Sequence, residues 1–318
     1  VIDADLEVSP VIYGCMQIGG SWTDEPLSRE AIDRGLACIR AALDAGVNTF
    51  DHADIYCRGK SEQLFGLAWS ELGLRRDDVV LQSKCGIRRP DEPPGAPHRY
   101  DLSRDHILRS VDQILKRLQT DRLDILLLHR PDPLIEPEEI ARAFDELRSQ
   151  KLVRHFGVSN HNAGQMALLQ RSLGMPLIAN QLEINLLHSD VIDEGVTVDS
   201  LQRNSYRGDG TLDHCRQHHV SIQAYSPVAK GRITSPPHDA DDRTRAVSHI
   251  VHEIARARNT TPDAIQVAWL LRHPARIQPV LGTTKPQRIA DAVNGMGIEL
   301  TREEWYRLFT AGRGRALP

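Results

Sequence analysis

Four polar residues, Asp51, Tyr56, Lys84 and His129, stand at or just beyond the ends of apolar runs in a chain of 318 residues. Together they suit proton delivery to an oxygen. Reduction of a carbonyl by hydride needs a proton as negative charge builds on that oxygen. Tyrosine, with a pKa near ~10, donates weakly at neutral pH unless its phenolate is stabilised. An ammonium within ~4–6 Å favours the phenolate, and Lys84 is the candidate for that role. Asp51 would keep Lys84 charged and oriented, because a lone buried ammonium tends to lose its proton. His129 can hydrogen-bond a carbonyl through a ring N–H and fix its pose. Taken singly, each has a plainer reading. An Asp after a strand is commonly a turn residue or cap, a Lys near a strand end reaches water, and a His before Arg130-Pro131 simply ends the strand.

The elements that must position them follow from periodicity. Short apolar runs at Val11–Cys15, Val47–Asp51, Val79–Lys84, Leu123–Leu128, Val153–Val158, Leu177–Gln181, Ser221–Tyr225 and Ile277–Leu281 predict eight strands. VVLQSK and LDILLL have the aliphatic density of strands covered on both faces. Amphipathic stretches between them predict helices at Arg29–Ala45, Pro137–Ser149, Gln165–Leu173, Ala246–Arg258, Pro262–Leu271 and Pro286–Val293, with a last helix from Thr301. Ser103 reads as an N-cap for another to about Leu118, with Ile107, Leu108, Val111, Ile114, Leu115 and Leu118 on one face. Strands alternating with helices and no strand reversal predict a (β/α)8 TIM barrel, with a doubly wound open sheet as the alternative. In a barrel the four residues come together at the C-terminal mouth. Three long loops, Gly86–Tyr100, His188–Gly210 and Ala229–Asp242, follow strand ends on that side. No domain boundary or solenoid-length repeat is evident, so residues 1–318 read as one domain.

Composition narrows the function classes. The chain is 40% hydrophobic and 26% charged with a net charge of −4, which gives no support for a nucleic-acid partner. No apolar run approaches the ~18 residues of a membrane span. The N-terminus opens with acids and lacks the basic region of a secretory signal; its start without Met leaves room for upstream residues. Cys15, Cys38, Cys57, Cys85 and Cys215 are odd in number and form no C-x-x-C pair, which points to a reducing, cytoplasmic setting. Cys57 and Cys85 read as small packed hydrophobes in preference to redox sensors.

At NTFDHADIY, LQSKCGI, LLLHRPDP, FGVSN, NQLEIN and AYSP the sequence resembles the aldo-keto reductase family, in the family's order and over nearly the whole chain. DHADIY, SKCGI and HRPDP look like a bacterial branch of predicted oxidoreductases. The resemblance implies a catalytic tetrad of Asp51, Tyr56, Lys84 and His129, with the tyrosine as acid in reduction and base in oxidation. It also implies a nicotinamide dinucleotide lying across the barrel mouth without a Rossmann domain, and no G-x-G-x-x-G follows a strand here. By the same resemblance, Ser159, Asn160 and Gln181 meet the carboxamide and Tyr225 stacks on the nicotinamide ring. Asp51 and the backbone of Met16 add contacts there. Ser226, Pro227 and the loop through Gly231 cover the pyrophosphate. Plainer readings stand beside these: Asn160 as a turn residue, Gln181 as a satisfied polar group inside the barrel, Tyr225 as packing.

At the adenosine end, Thr283, Thr284, Lys285 and Arg288, with Asp291, resemble the segment that holds a 2′-phosphate, and hydroxyls with a guanidinium suit one. NADP(H) is favoured over NAD(H), although Gly282 and Ala292 replace a lysine and an asparagine common in the family. Trp22 and the first two long loops are expected to wall the pocket for a small carbonyl substrate, together with Tyr56 and His129. The Y-x-x-x-K run from Tyr56 to Lys60 matches the signature of short-chain dehydrogenases, where it lies on a helix. Gly59 and the preceding strand end put it in a loop here, with Lys60 at the surface. Two rival functions remain: a cofactor-sensing subunit with little turnover, and a metal-dependent barrel hydrolase, for which the H-x-H after the first strand is missing. Neither the physiological substrate nor the oligomeric state is legible.

Overall fold

A computed structural model describes residues 6–197 and 209–318. Eight parallel strands close a barrel: β1 (Ile12–Gly14), β2 (Thr49–Asp51), β3 (Val80–Cys85), β4 (Leu123–Leu128), β5 (Val153–Ser159), β6 (Leu177–Glu183), β7 (Ser221–Tyr225) and β8 (Gln278–Leu281). Each pairs with its sequence neighbour, and β8 closes the ring on β1 through Ile12–Val280 and Tyr13–Leu281. All eight expected strands are present, and the open-sheet alternative falls. The strand reversal missing from the sequence reading does exist. Ile87–Arg88 and Arg99–Tyr100 pair antiparallel as a small hairpin inside the loop after β3, outside the barrel wall.

The helices are α1 (Arg29–Asp44), α2 (Lys60–Glu71), α3 (Arg104–Leu118), α4 (Pro137–Ser149), α5 (Ala163–Gln170), α6 (Thr211–Gln217), α7 (Asp242–Ala257), α8 (Pro262–Leu271), α9 (Pro286–Val293) and α10 (Arg302–Arg313). Ser103 caps α3 as expected, its Oγ accepting from the His106 amide. Thr301 and Glu304 form a reciprocal capping box on α10. Two helices escaped the sequence reading, α2 and α6. Both begin after a left-handed glycine, Gly59 or Gly210, with no capping side chain. Helix α2 also carries an internal glycine. Gly66 is required there by packing, since a Cβ would sit 2.6 Å from the Arg117 carbonyl oxygen at the end of α3.

Inside the barrel the side chains change character with height. Alternation along β3 turns Val80, Gln82 and Lys84 to one face. Val80 packs at the bottom with Leu6, Val8, Ile125, Leu127, Ile178 and Ala179, so the N-terminal segment plugs that end. Above this apolar floor come buried glutamines, and above them Lys84. The larger core lies between sheet and helices, around Phe50, Phe65, Phe144, Phe156 and Trp269. Among the described residues no helix is long and apolar enough to cross a membrane. The loop His188–Gly210 lies partly outside the described residues; its beginning carries a short helical turn, Asp190–Asp193.

Candidate active site

The strand ends bring the four polar residues together. Asp51 closes β2, Lys84 is the penultimate residue of β3, and His129 follows β4, its amide bonded to the Cys85 carbonyl. Tyr56 opens a tight 3-10 turn, Tyr56–Gly59, in which Cys57 and Arg58 adopt left-handed backbone angles (φ 48° and 59°) before Gly59 at 82°. This turn folds the chain back so that the phenol lies over β3.

Lys84 is wholly buried, and its ammonium spends every donor. Nζ reaches both Asp51 carboxylate oxygens at 2.7 Å, the His52 carbonyl at 3.0 Å and the Tyr56 hydroxyl at 3.1 Å. Because the Tyr56 oxygen accepts that hydrogen bond, its own proton is free to point into the mouth. Burial works against the Lys84 charge, but Asp51 and Tyr56 outweigh it and the lysine pKa rises. The tyrosine differs from the simplest expectation. Burial raises its pKa above the ordinary value, and the pull of Lys84 only partly counters this. Around neutrality the phenol is therefore protonated and the ammonium charged. His129 packs edge-on to the Tyr56 ring, with centroids 6.0 Å apart. Burial, then Lys84 and Arg130, lower its pKa well below the usual histidine range, so the imidazole is neutral. Its Nδ1 is buried without a partner.

Beneath this cluster lies a layer that the sequence reading missed. Gln82 Nε2 donates to Asp51 Oδ1 at 2.5 Å and to Gln223 Oε1 at 2.8 Å, and Gln223 returns a bond to Gln82 Oε1 at 2.9 Å. Gln181 Nε2 donates to the same Asp51 oxygen at 3.1 Å and to Gln223 at 3.0 Å. Gln181 thus spends its Nε2 inside the barrel, on the tetrad's Asp51 and on Gln223. The available signal was period two: Gln82 lies two residues before Lys84, and Gln223 two before Tyr225. Asp54, also missed, is half-buried with one carboxyl oxygen enclosed, and desolvation, then the nearby Glu62, pushes its carboxyl up to about 8.

Ser159, Asn160 and Tyr225 meet at the mouth. Asn160, left-handed at φ 63°, donates to the His129 carbonyl (3.2 Å) and Ser159 Oγ (2.9 Å) and accepts from the Tyr225 hydroxyl at 3.1 Å. Ser159 Oγ donates to the Gln181 carbonyl at 2.8 Å. After β7, Ser226, Ala229 and Lys230 are all left-handed non-glycine residues around Pro227, and Gly231 follows at φ 82°. A Cβ on Gly231 would lie 3.6 Å from the Arg288 guanidinium, so the two cofactor segments named from sequence are neighbours. Arg288 has a partner that the sequence did not suggest: Nε and Nη2 both bind Asp263 Oδ2, at 3.0 and 2.8 Å. Thr283 lends its carbonyl to the Tyr13 hydroxyl and its Oγ1 to the Lys285 amide. Thr284 is half-buried and Lys285 exposed. Asp291 lies on α9, its carboxylate taken by Gln287. Met16 is 40% exposed, with its carbonyl turned inward to Ser61 Oγ and Cys57 Sγ.

Trp22 is 42% exposed on the loop after β1. Lys60 corrects the sequence reading. It is buried at the first residue of α2, because its ammonium is sequestered by the Trp22 loop. Cys57 and Cys85 are fully buried, and burial raises both thiol pKa values, as packed hydrophobes require. Among the described residues no group of three or more His, Cys, Asp or Glu is arranged to hold a metal.

A closed parallel barrel whose acid–base cluster gathers at the carboxyl ends of its strands defines a (β/α)8 enzyme class with its chemistry at that face. This chain belongs to the aldo/keto reductase family, whose model matches residues 10–311. It is 36% identical over 318 residues to the uncharacterized oxidoreductase YcsN of Bacillus subtilis (99% of this chain, 97% of that one). It is 33% identical to a 6-dehydroglucose reductase of Agrobacterium fabrum (98% and 96% covered). A solved thermostable aldo-keto reductase in complex with the inhibitor epalrestat superimposes with a TM-score of 0.78 at 26% identity, covering 97% of each chain. An aldo-keto reductase from Klebsiella pneumoniae, solved with NADPH, shares the fold at 24% identity (TM-score 0.73, 95% and 90% covered). The protein is accordingly an oxidoreductase of a family that acts on carbonyls with a nicotinamide cofactor.

Proposed function

We propose that this protein reduces an aldehyde or ketone to the alcohol with NADP(H), and that Tyr56 delivers the proton. The supporting observation is the 3.1 Å hydrogen bond from Lys84 to the Tyr56 hydroxyl, within an ammonium shell that also includes Asp51. A phenol that is protonated at neutral pH and accepts from a cation has its proton directed at the mouth and its conjugate base stabilised where it forms. Neutral His129 offers a ring N–H to the carbonyl oxygen and orients it. The residues fit the cofactor. Asn160 and Gln181 present amides suited to a carboxamide, and the half-buried Tyr225 ring stands beside them. The left-handed run at Ser226–Gly231 is the kind of held, irregular backbone that marks ligand segments. When bound, the dinucleotide supplies the hydride.

The preference for NADP(H) rests on Thr283, Thr284, Lys285 and Arg288 around the N-terminus of α9, where two hydroxyls, an ammonium and a guanidinium are available and the helix dipole favours phosphate. Residues 1–318 act as one barrel domain in this reading, and Trp22 and the hairpin loop after β3 wall the substrate pocket. Two relatives, at 33% and 31% identity, are named 6-dehydroglucose reductases, so an oxidised sugar belongs first in the substrate panel. The test is Tyr56→Phe. Carbonyl reduction should fall by about 10²–10⁴-fold, the usual contribution of a positioned general acid, with NADPH affinity by fluorescence titration retained. A variant that reduces aldehydes at near wild-type rate removes the tyrosine from the chemistry.

A further inference from the structure

We propose that Lys60 and Arg58 are positioning residues that lock the loop carrying Trp22 onto the turn carrying Tyr56, and thereby set which ring-bearing carbonyls reach the tyrosine. This rests on the reading of Tyr56 as the proton donor.

The clamp is built from both sides of one short turn. Lys60 is 5% exposed, and its three ammonium donors go to three uncharged acceptors on a single loop: Ser21 Oγ at 3.0 Å, the Thr23 carbonyl at 2.9 Å and the Glu25 carbonyl at 2.9 Å. A buried ammonium needs its full set of acceptors, so it gathers the loop around itself. Arg58 grips the same loop from outside, with Nε on the Trp22 carbonyl at 2.7 Å and Nη1 on Asp24 at 2.8 Å. Cys57 closes the inner edge, its Sγ within 3.3 Å of the Gly20 carbonyl. Contact continues at Gly19, where a Cβ would meet the Ser61 nitrogen at 2.6 Å. The link to the phenol is direct, because the Lys60 amide donates to the Tyr56 carbonyl. One residue thus holds the reacting residue with its backbone and the Trp22 loop with its side chain. Trp22 lies 42% exposed on this loop, which follows the C-terminal end of β1, and in the proposed reading it is the apolar wall for an aryl or other ring. A small aliphatic aldehyde has no use for that wall, so the clamp discriminates by shape and leaves the chemistry alone.

The experiment compares wild type and Lys60→Met, each saturated with NADPH, on 2-naphthaldehyde and on propanal, with hydrogen–deuterium exchange across residues 20–26. The KM for 2-naphthaldehyde should rise about tenfold with its kcat within about threefold, the pattern of lost binding unaccompanied by lost chemistry. The KM for propanal should move far less, and exchange in 20–26 should quicken. Unchanged exchange overturns the clamp. Quickened exchange with an unchanged naphthaldehyde-to-propanal ratio overturns its role in specificity. A parallel fall in kcat on both aldehydes also overturns it, since that is the mark of a disturbed tyrosine. If wild type reduces neither aldehyde, the reductase reading fails, while exchange still decides the clamp. Should Lys60→Met not fold, Arg58→Gln, at the outer edge of the same loop, is read by the same two measurements with the same expected and overturning results.

Discussion

Replacing Lys84 by methionine tests the electrostatic core of the proposed mechanism. The side chain keeps its length and loses its charge. In the transition state for reduction the Tyr56 oxygen gains negative charge 3.1 Å from the ammonium. At an effective dielectric of about 20, two unit charges at that separation attract by roughly 5 kcal/mol. The Asp51 carboxylate, 2.7 Å from the same ammonium, cancels part of this, and the floor is the ~1.5–3 kcal/mol of a hydrogen bond to a charged group. A net loss of about 2–5 kcal/mol corresponds to roughly 30-fold to 4,000-fold in kcat/KM. Single-turnover reduction with NADPH bound isolates the chemical step from product release. Gln82 and Gln181 still donate to Asp51 in the variant, which limits the penalty for an unpaired buried carboxylate, but a fall in thermal midpoint is expected. The reverse reaction supplies the sign. Alcohol oxidation needs the phenolate, so its rate climbs with pH through the Tyr56 pKa, which burial has already raised. Without Lys84 that limb must move to still higher pH. A folded variant that binds NADPH and reduces aldehydes within about threefold of wild type would refute the argument. So would an oxidation limb displaced toward lower pH.

Arg288→Ala should weaken NADPH by about tenfold more than NADH, the effect of one charged hydrogen bond to a phosphate, in fluorescence titrations; equal losses take the arginine out of the phosphate site. Asp54 offers a pH test. Its carboxyl, raised from 3.8 to about 8 chiefly by burial, binds more protons folded than unfolded between those values. The native state must therefore lose stability as pH rises through that window, by up to about 1.4 kcal/mol per pH unit. Asp54→Asn should flatten the denaturation free energy between pH 4 and pH 8; a slope identical to wild type would show that the carboxyl ionises at its ordinary pKa.

The barrel was legible because short, mostly apolar runs alternate with amphipathic helical stretches, and runs such as LDILLL suit a sheet covered on both faces. The candidate site was legible for a related reason. Side chains alternate along a strand, so a polar residue at the end of an apolar run is committed to the mouth. Helices α2 and α6 were illegible because their starts are left-handed glycines without a capping side chain, and α2 is interrupted by a packing glycine. The glutamine layer was hidden by chemistry: a buried amide reads as surface until its partners, some of them across the barrel, are known. Arg288 misled by half, since its charge is visible in sequence but the Asp263 that shares it is not.

Lys60 shows the same limit in its sharpest form and explains how the Tyr56 turn holds its shape. Three successive residues, Cys57, Arg58 and Gly59, sit at positive φ, and such strain at a non-glycine residue costs on the order of 1–3 kcal/mol. Within the turn, Arg58 N–H donates to the Ile55 carbonyl and Lys60 N–H to the Tyr56 and Cys57 carbonyls. Further support comes from outside, through five hydrogen bonds from Arg58 and Lys60 to the loop after β1. A lysine after a glycine at a loop–helix junction is by composition a surface residue. Only the convergence of Ser21, Thr23 and Glu25 on its ammonium makes burial affordable, and that convergence is a property of the closed barrel. Relax the turn and the loop loses its donors. Release the loop and the turn keeps its own backbone bonds, from Arg58 to Ile55 and from Lys60 to Tyr56 and Cys57, so the phenol keeps its aim while the Trp22 loop does not.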